Sequence, residues 1–152
     1  MNAGGLCLLS AWESDSLVVY NDHFGFPTVG RGHRTTLPIG ATISQAEDDA
    51  LFADDIARAE LIVSRAVTVP LTDNQRAALE CFVFNVGPGE VGVKDGFVWL
   101  KAGGHSTLLN LINAGEYDDA CEEMGAWNHV NGQVVLGLTR RRCAEQALFT
   151  TP

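Results

Sequence analysis

Four residues near the start of the chain are of types that can do chemistry together. They are Glu13, Asp22 nine positions on, Thr28 six further and His33 five further. A glutamate and an aspartate that face each other across a gap suit hydrolysis of a glycosidic bond. That reaction asks for one carboxylic acid, one carboxylate and a water between them. Two carboxylates alone carry little information, because an ordinary surface Glu13 would look the same. The elements around them have to supply the rest.

Leu6, Leu9 and Glu13 fall at i, i+3 and i+7, so an apolar stripe leads to a carboxyl at the C-terminal end of a first helix. That end of a helix is electronegative and favours a proton there. Val18, Val19 and Tyr20 favour a strand, and Asp22-His23-Phe24-Gly25 reads as a turn. Thr28 to His33 is the expected return strand, in which Gly30 and Gly32 leave room for a close approach to the backbone.

With those residues in view, the run from Trp12 to His33 resembles the catalytic signature of the phage-type lysozymes, glycoside hydrolase family 24. The resemblance rests on the joint spacing of Glu13, Tyr20, Asp22, Gly25 and Thr28, followed by G-R-G-H ending at His33. Three positions depart from the usual pattern. Ser14 stands where the family has Gly, Arg31 stands where an aromatic or aliphatic residue is common, and Pro27 precedes Thr28.

The 152 residues are enough for a single domain with a real core, and a hydrophobic share of 46% fits a folded chain. The net charge of −9 argues against nucleic-acid binding, which needs a basic footprint. It also offers no long-range electrostatic help in reaching an anionic cell wall. Cysteines 7, 81, 121 and 143 show no metal-ligand spacing and are expected to be mostly buried free thiols. His23, His33, His105 and His129 have no ligand spacing either, so no metal or cofactor is expected. The start of the chain lacks the charged n-region of a signal peptide, and no run approaches the roughly 20 apolar residues of a membrane span.

Further along, Ser44 with Glu47 and Thr72 with Gln75 are capping boxes, each opening a helix. Asp48, Asp49, Asp54 and Asp55 are expected on the solvated face of the first of these. T-x-N-Q-x-x-A-L-x-x-F-x-F-N-V-G, from Thr72 to Gly87, again resembles the family, with Asn85 expected in a capping role. Residues 90–105 look like an insertion relative to shorter members, and burial is the expectation for Trp99 within it. Two short helices follow on either side of Gly115. The closing W…G…G-L-x-R-R-R-x-x-E-x-x-L places Thr139 as an N-cap and offers three arginines in a row. They cannot share one helical face, so one is expected to turn inward to Glu13. By position that is Arg140, with Arg141 as second choice.

The resemblance spans roughly residues 8–149. It implies an α+β, lysozyme-like fold of one catalytic domain, 1–152. A small N-terminal hairpin lobe covers about 1–65 and a larger helical lobe about 66–152. Expected core residues include Leu51, Phe52, Ile56, Leu79, Phe82, Phe84, Leu108, Leu111, Trp127 and Leu138. It further implies hydrolysis of the β-1,4 bond between N-acetylmuramic acid and N-acetylglucosamine in bacterial peptidoglycan. Glu13 would be the general acid, Asp22 the carboxylate that orients water, and Thr28 a second hold on that water. Tyr20, Gly30, His33 and Arg140 would bind substrate or support the site, and inversion is expected. A lytic transglycosylase, an inactive wall-binding homologue and action on chitin-like substrates are the alternatives. The family setting implies a monomer kept in the host bacterial cytoplasm until a holin releases it to the periplasmic wall.

Overall fold

The computed structural model describes residues 1–13, 15–22 and 25–152. Ser14 and the expected turn tip at His23 and Phe24 lie outside them. The described residues form six α-helices and five short strands: α1 (Ala3–Trp12), β1 (Ser16–Asn21), β2 (Pro27–Gly30), β3 (His33–Arg34), α2 (Gln45–Ala66), α3 (Asp73–Val86), α4 (Thr107–Ala114), α5 (Tyr117–Gly125), β4 (His129–Val130), β5 (Gln133–Val134) and α6 (Leu136–Phe149). This is a mainly helical α+β architecture.

The helix starts follow from local chemistry. The Asn2 side chain accepts from Gly5 N at 3.0 Å and opens α1. Ser44 and Glu47 cap α2 reciprocally, as Thr72 and Gln75 cap α3. The start of α6 is different. Val135 is its N-cap, four residues before Thr139, and has no side-chain cap bond. The Thr139 hydroxyl instead donates to Val135 O at 3.2 Å and accepts from Asn128 at 3.1 Å. The unanticipated β4–β5 hairpin feeds the chain directly into the helix.

The expected return strand from Thr28 to His33 is broken at Arg31 and Gly32. The sheet therefore has three antiparallel strands in the order β1-β2-β3. Tyr20 pairs with Thr28 and Val29 with His33. The segment 40–43 runs along the other edge of β1, with Val19 N donating to Ala41 O at 2.8 Å and Ile43 N to Leu17 O at 2.9 Å.

Helix α3 is the axis of the molecule. Residues Ala77 to Val83 are all buried, and α1, α2 and α6 pack around it. The Phe82 ring meets those of Phe97 and Trp127 edge-on, with centroids 6.2 and 5.6 Å apart. Leu79, Leu108, Ile112 and Met124 complete the main core. A smaller cluster of Leu9, Phe52 and Cys81, with Ile56 and Phe84 against it, lies where α1 and α2 meet α3. Leu51 and Leu138 are only half-buried.

Candidate active site

Glu13 is the C-cap of α1, with its N–H donating to Leu9 O at 3.0 Å. Burial of Leu9 in the small cluster fixes the helix end and aims the carboxyl. Two structures then grip it. Arg141 Nη1 of α6 donates to Glu13 Oε1 at 2.6 Å. On the other side, a Cβ added at Gly32 would lie 3.1 Å from Glu13 Oε2. The turn between β2 and β3 therefore abuts the carboxylate, and at Gly32, φ +87°, a side chain would crowd it.

The arginine that meets Glu13 is Arg141, which corrects the assignment to Arg140. Arg140 is exposed. The reason is helical phase: with α6 starting at Leu136, Arg141 and Glu145 stand at i and i+4 on the inward face. Nor is only one arginine inward. Arg142 is fully buried as well, at i−3 from Glu145. Glu145 Oε1 accepts from Arg141 Nε and Arg142 Nη2, both at 3.1 Å. Arg142 Nη2 also donates to Asn85 Oδ1 at 2.7 Å, and its guanidinium lies 4.7 Å from the centre of the Phe82 ring. Asn85 thus serves as an acceptor for Arg142 and not as a cap. Burial pushes the Glu145 carboxyl up, against the pull of Arg142 and Arg141. Burial likewise lowers Arg142, to about 10, with Glu145 opposing. Glu13, Arg141, Glu145 and Arg142 make a continuous chain of two carboxyl groups and two guanidinium groups.

Asp22 follows β1. Its Oδ1 accepts from Phe26 N at 2.8 Å, and its backbone N–H donates to Phe26 O at 2.9 Å. Arg34 Nη2 stands 3.7 Å from Asp22 Oδ2 and stacks on the Phe26 ring at 4.0 Å. Thr28 is 3% exposed, and its hydroxyl donates to Phe26 O at 3.0 Å. That commits the hydroxyl proton, so Thr28 meets any further partner through oxygen lone pairs. Tyr20 is half-buried on β1 opposite Thr28.

The sheet is moored to α2. His33 Nδ1 lies 2.8 Å from Asp55 Oδ2. Asp48 is 1% exposed and takes two bonds from Arg31. Both aspartates were expected on the solvated face of α2. Asp48, Phe52, Asp55 and Ala59 stand at i, i+4, i+7 and i+11, however, so they share the face that Phe52 and Ala59 bury. Asp49 and Asp54 do face outward. The room at Gly30 is taken by protein, because a Cβ there would lie 1.8 Å from Asp48 Oδ1.

Two further expectations change. Trp99 is 41% exposed and packs against His105 with centroids 4.6 Å apart and ring planes tilted by 55°, while Phe97 takes the buried place beside it. Of the four free thiols, Cys7 and Cys143 are exposed and only Cys81 is fully buried. Burial pushes the Cys81 thiol up to about 12, with Glu145 adding to it. Among the described residues no three His, Cys, Asp or Glu side chains gather as metal ligands. No described helix is long and apolar enough to cross a membrane.

Comparison with solved structures places this architecture among lysozyme-like folds. The muramidase domain of SpmX from Asticcacaulis excentricus (30% identity) covers 99% of this chain and 97% of its own, with a TM-score of 0.78. Residues 10–145 match the family described as phage lysozyme, and the chain belongs to that family. The endolysin of Acyrthosiphon pisum secondary endosymbiont phage 1 is 36% identical over 95% of this chain and 94% of its own. That of Salmonella phage P22 is 32% identical over 98% and 97%.

Proposed function

We propose that the chain is an endolysin-type muramidase. It hydrolyses the β-1,4 bond between N-acetylmuramic acid and N-acetylglucosamine in bacterial peptidoglycan, leading to lysis of the host cell. The observation that carries this reading is the grip on Glu13 by Arg141 and the Gly32 turn, in a chain closely related to phage endolysins.

In this reading Glu13 protonates the leaving oxygen, and Arg141 fixes the carboxyl in one rotamer for that transfer. Asp22 stays ionised and orients the attacking water, with its Oδ1 held by Phe26 N. Thr28 aims the same water through its oxygen lone pairs, since its proton is committed to Phe26 O. Tyr20, Gly30 and His33 support the sheet that carries both groups. A dedicated water favours inversion, with a carboxyl separation of about 6.5–9.5 Å rather than the about 5–5.5 Å of retention. The enzyme works as a monomer that waits in the host cytoplasm until a holin lets it reach the wall.

NMR of the nascent reducing end from purified peptidoglycan, before mutarotation, is the test. An α end is expected. A β end means retention, and a 1,6-anhydro end means transglycosylation; either removes the roles given to Asp22 and Thr28.

A further inference from the structure

Arg31 sits between the two glycines of the catalytic turn, and the chemistry above leaves it without a task. Its backbone N–H donates to Asp48 Oδ1 at 3.0 Å, and its Nε donates to Asp48 Oδ2 at 2.8 Å. Nη2 is also 2.8 Å from that second oxygen and bonds Asp49. Both oxygens of a fully buried carboxylate are thereby bonded by Arg31, and Oδ2 also accepts from Gln45 Nε2 at 3.4 Å. Gly30 has no Cβ, and the vacated volume is where Asp48 Oδ1 sits. The Arg31 guanidinium lies 4.1 Å over the Phe52 ring. Phe52 in turn packs with Leu9, one turn before Glu13 in α1.

We propose that Arg31 and Asp48 form a positioning clasp for the catalytic acid. Helix α2 reaches through Asp48 to fix the backbone of residues 30–32, and Gly32 then limits where Glu13 Oε2 can lie. Neither residue touches reacting atoms; both act through the turn. The clasp rests on the reading of Glu13 as the general acid.

Four variants decide it: Asp48→Asn, Arg31→Met, the double variant Arg31→Met with Asp48→Leu, and Glu13→Gln as reference. The readouts are kcat and KM on soluble peptidoglycan fragments, and melting temperature. Each single clasp variant is expected to lose about tenfold in kcat with KM changed less than about twofold, because misplacement of an acid acts on the transition state. The double variant removes both charges together and is expected to regain melting temperature, as buried ion pairs replaced by apolar pairs often do. It is not expected to regain kcat, since the bond to Arg31 N stays lost. That split separates positioning from mere stability. Wild-type kcat in a folded single variant overturns the clasp, as does kcat that recovers with melting temperature in the double. If Asp48→Asn fails to fold, Arg31→Met decides alone. An active Glu13→Gln, or no turnover by the unaltered chain, overturns the functional reading and the clasp with it. An inactive Glu13→Gln beside a wild-type Asp48→Asn removes only the clasp.

Discussion

The two sides of Glu13 are held by charged groups of different construction. On the helical side, Arg141, Glu145 and Arg142 are sealed from solvent and anchored to Asn85, Phe82 and the Cys81 carbonyl. On the sheet side, β2 and β3 are tied to α2 by separate pairs, Arg31 with Asp48 and His33 with Asp55. Both side chains of the second pair keep 19% exposure. Water can replace a partner lost from a half-exposed pair, but not one lost from a sealed network. The helical side therefore sets the orientation of Glu13 at the level of folding. On the sheet side the His33–Asp55 pair is open to water, so there local geometry and catalysis can change while the fold stands, whereas Asp48, 1% exposed, shares the character of the sealed side.

The sharpest break is Glu13→Gln, which keeps the shape that both sides hold and removes the proton. Activity on peptidoglycan is expected to fall by at least about 10² with an unchanged melting curve. Lysis by the folded variant at near-normal rate would take Glu13 out of the mechanism. Glu145→Gln strikes the sealed side. It leaves Arg141 and Arg142 without their shared anion and is expected to cost about 3–5 kcal/mol in denaturant unfolding. A loss below 1 kcal/mol, on the order of an exposed pair, would erase the contrast between the two sides. His33→Ala tests the sheet side by the same measurement, with a loss of about 1 kcal/mol expected. Arg140→Ala is the control, expected within about 0.5 kcal/mol because the residue faces solvent. At the small end, thiol labelling of the native protein should modify Cys7 and Cys143 quickly. Cys81 should resist until the chain unfolds, since burial keeps it protonated far above neutral pH. Labelling of native Cys81 at the rate of Cys7 would mean that the junction between α1 and α3 opens readily.

What was legible in the sequence was mostly local. Ser44 with Glu47 and Thr72 with Gln75 announce helices because a capping box is complete within four residues. Glu13 at a helix end was readable for the same reason, whereas Gly32 was expected in a strand and lies instead in the turn that breaks it. The start of α6 was not, because the β4–β5 hairpin delivers Val135 and no side chain marks the place. Arg140 was assigned to Glu13 by position, whereas Arg141 is the arginine on the face of Glu145. Asp48 was hidden by composition: among so many acids it passes for solvated surface, although it shares a helical face with Phe52 and Ala59. The overlooked signal was Arg31 itself, a cation in a tight turn that needed a partner. Trp99 depends on which of two neighbouring aromatics the core admits, and Phe97 fills that place.

The loop from Pro88 to Ser106 shuts at its root. Pro88 O accepts from both Val98 N and Trp99 N at 2.9 Å, and Ser106 N donates to Val98 O at 3.1 Å. Beyond that root, Glu90 bonds with Lys94, and Leu100 with Gly104. Phe97 alone sends a large side chain into the fully buried core, and the Ser106 hydroxyl holds its carbonyl. The loop's hold on the scaffold thus rests on Pro88, Phe97 and Ser106, with one further tie from its outer turn, where Lys94 Nζ donates to Val86 O at 3.3 Å.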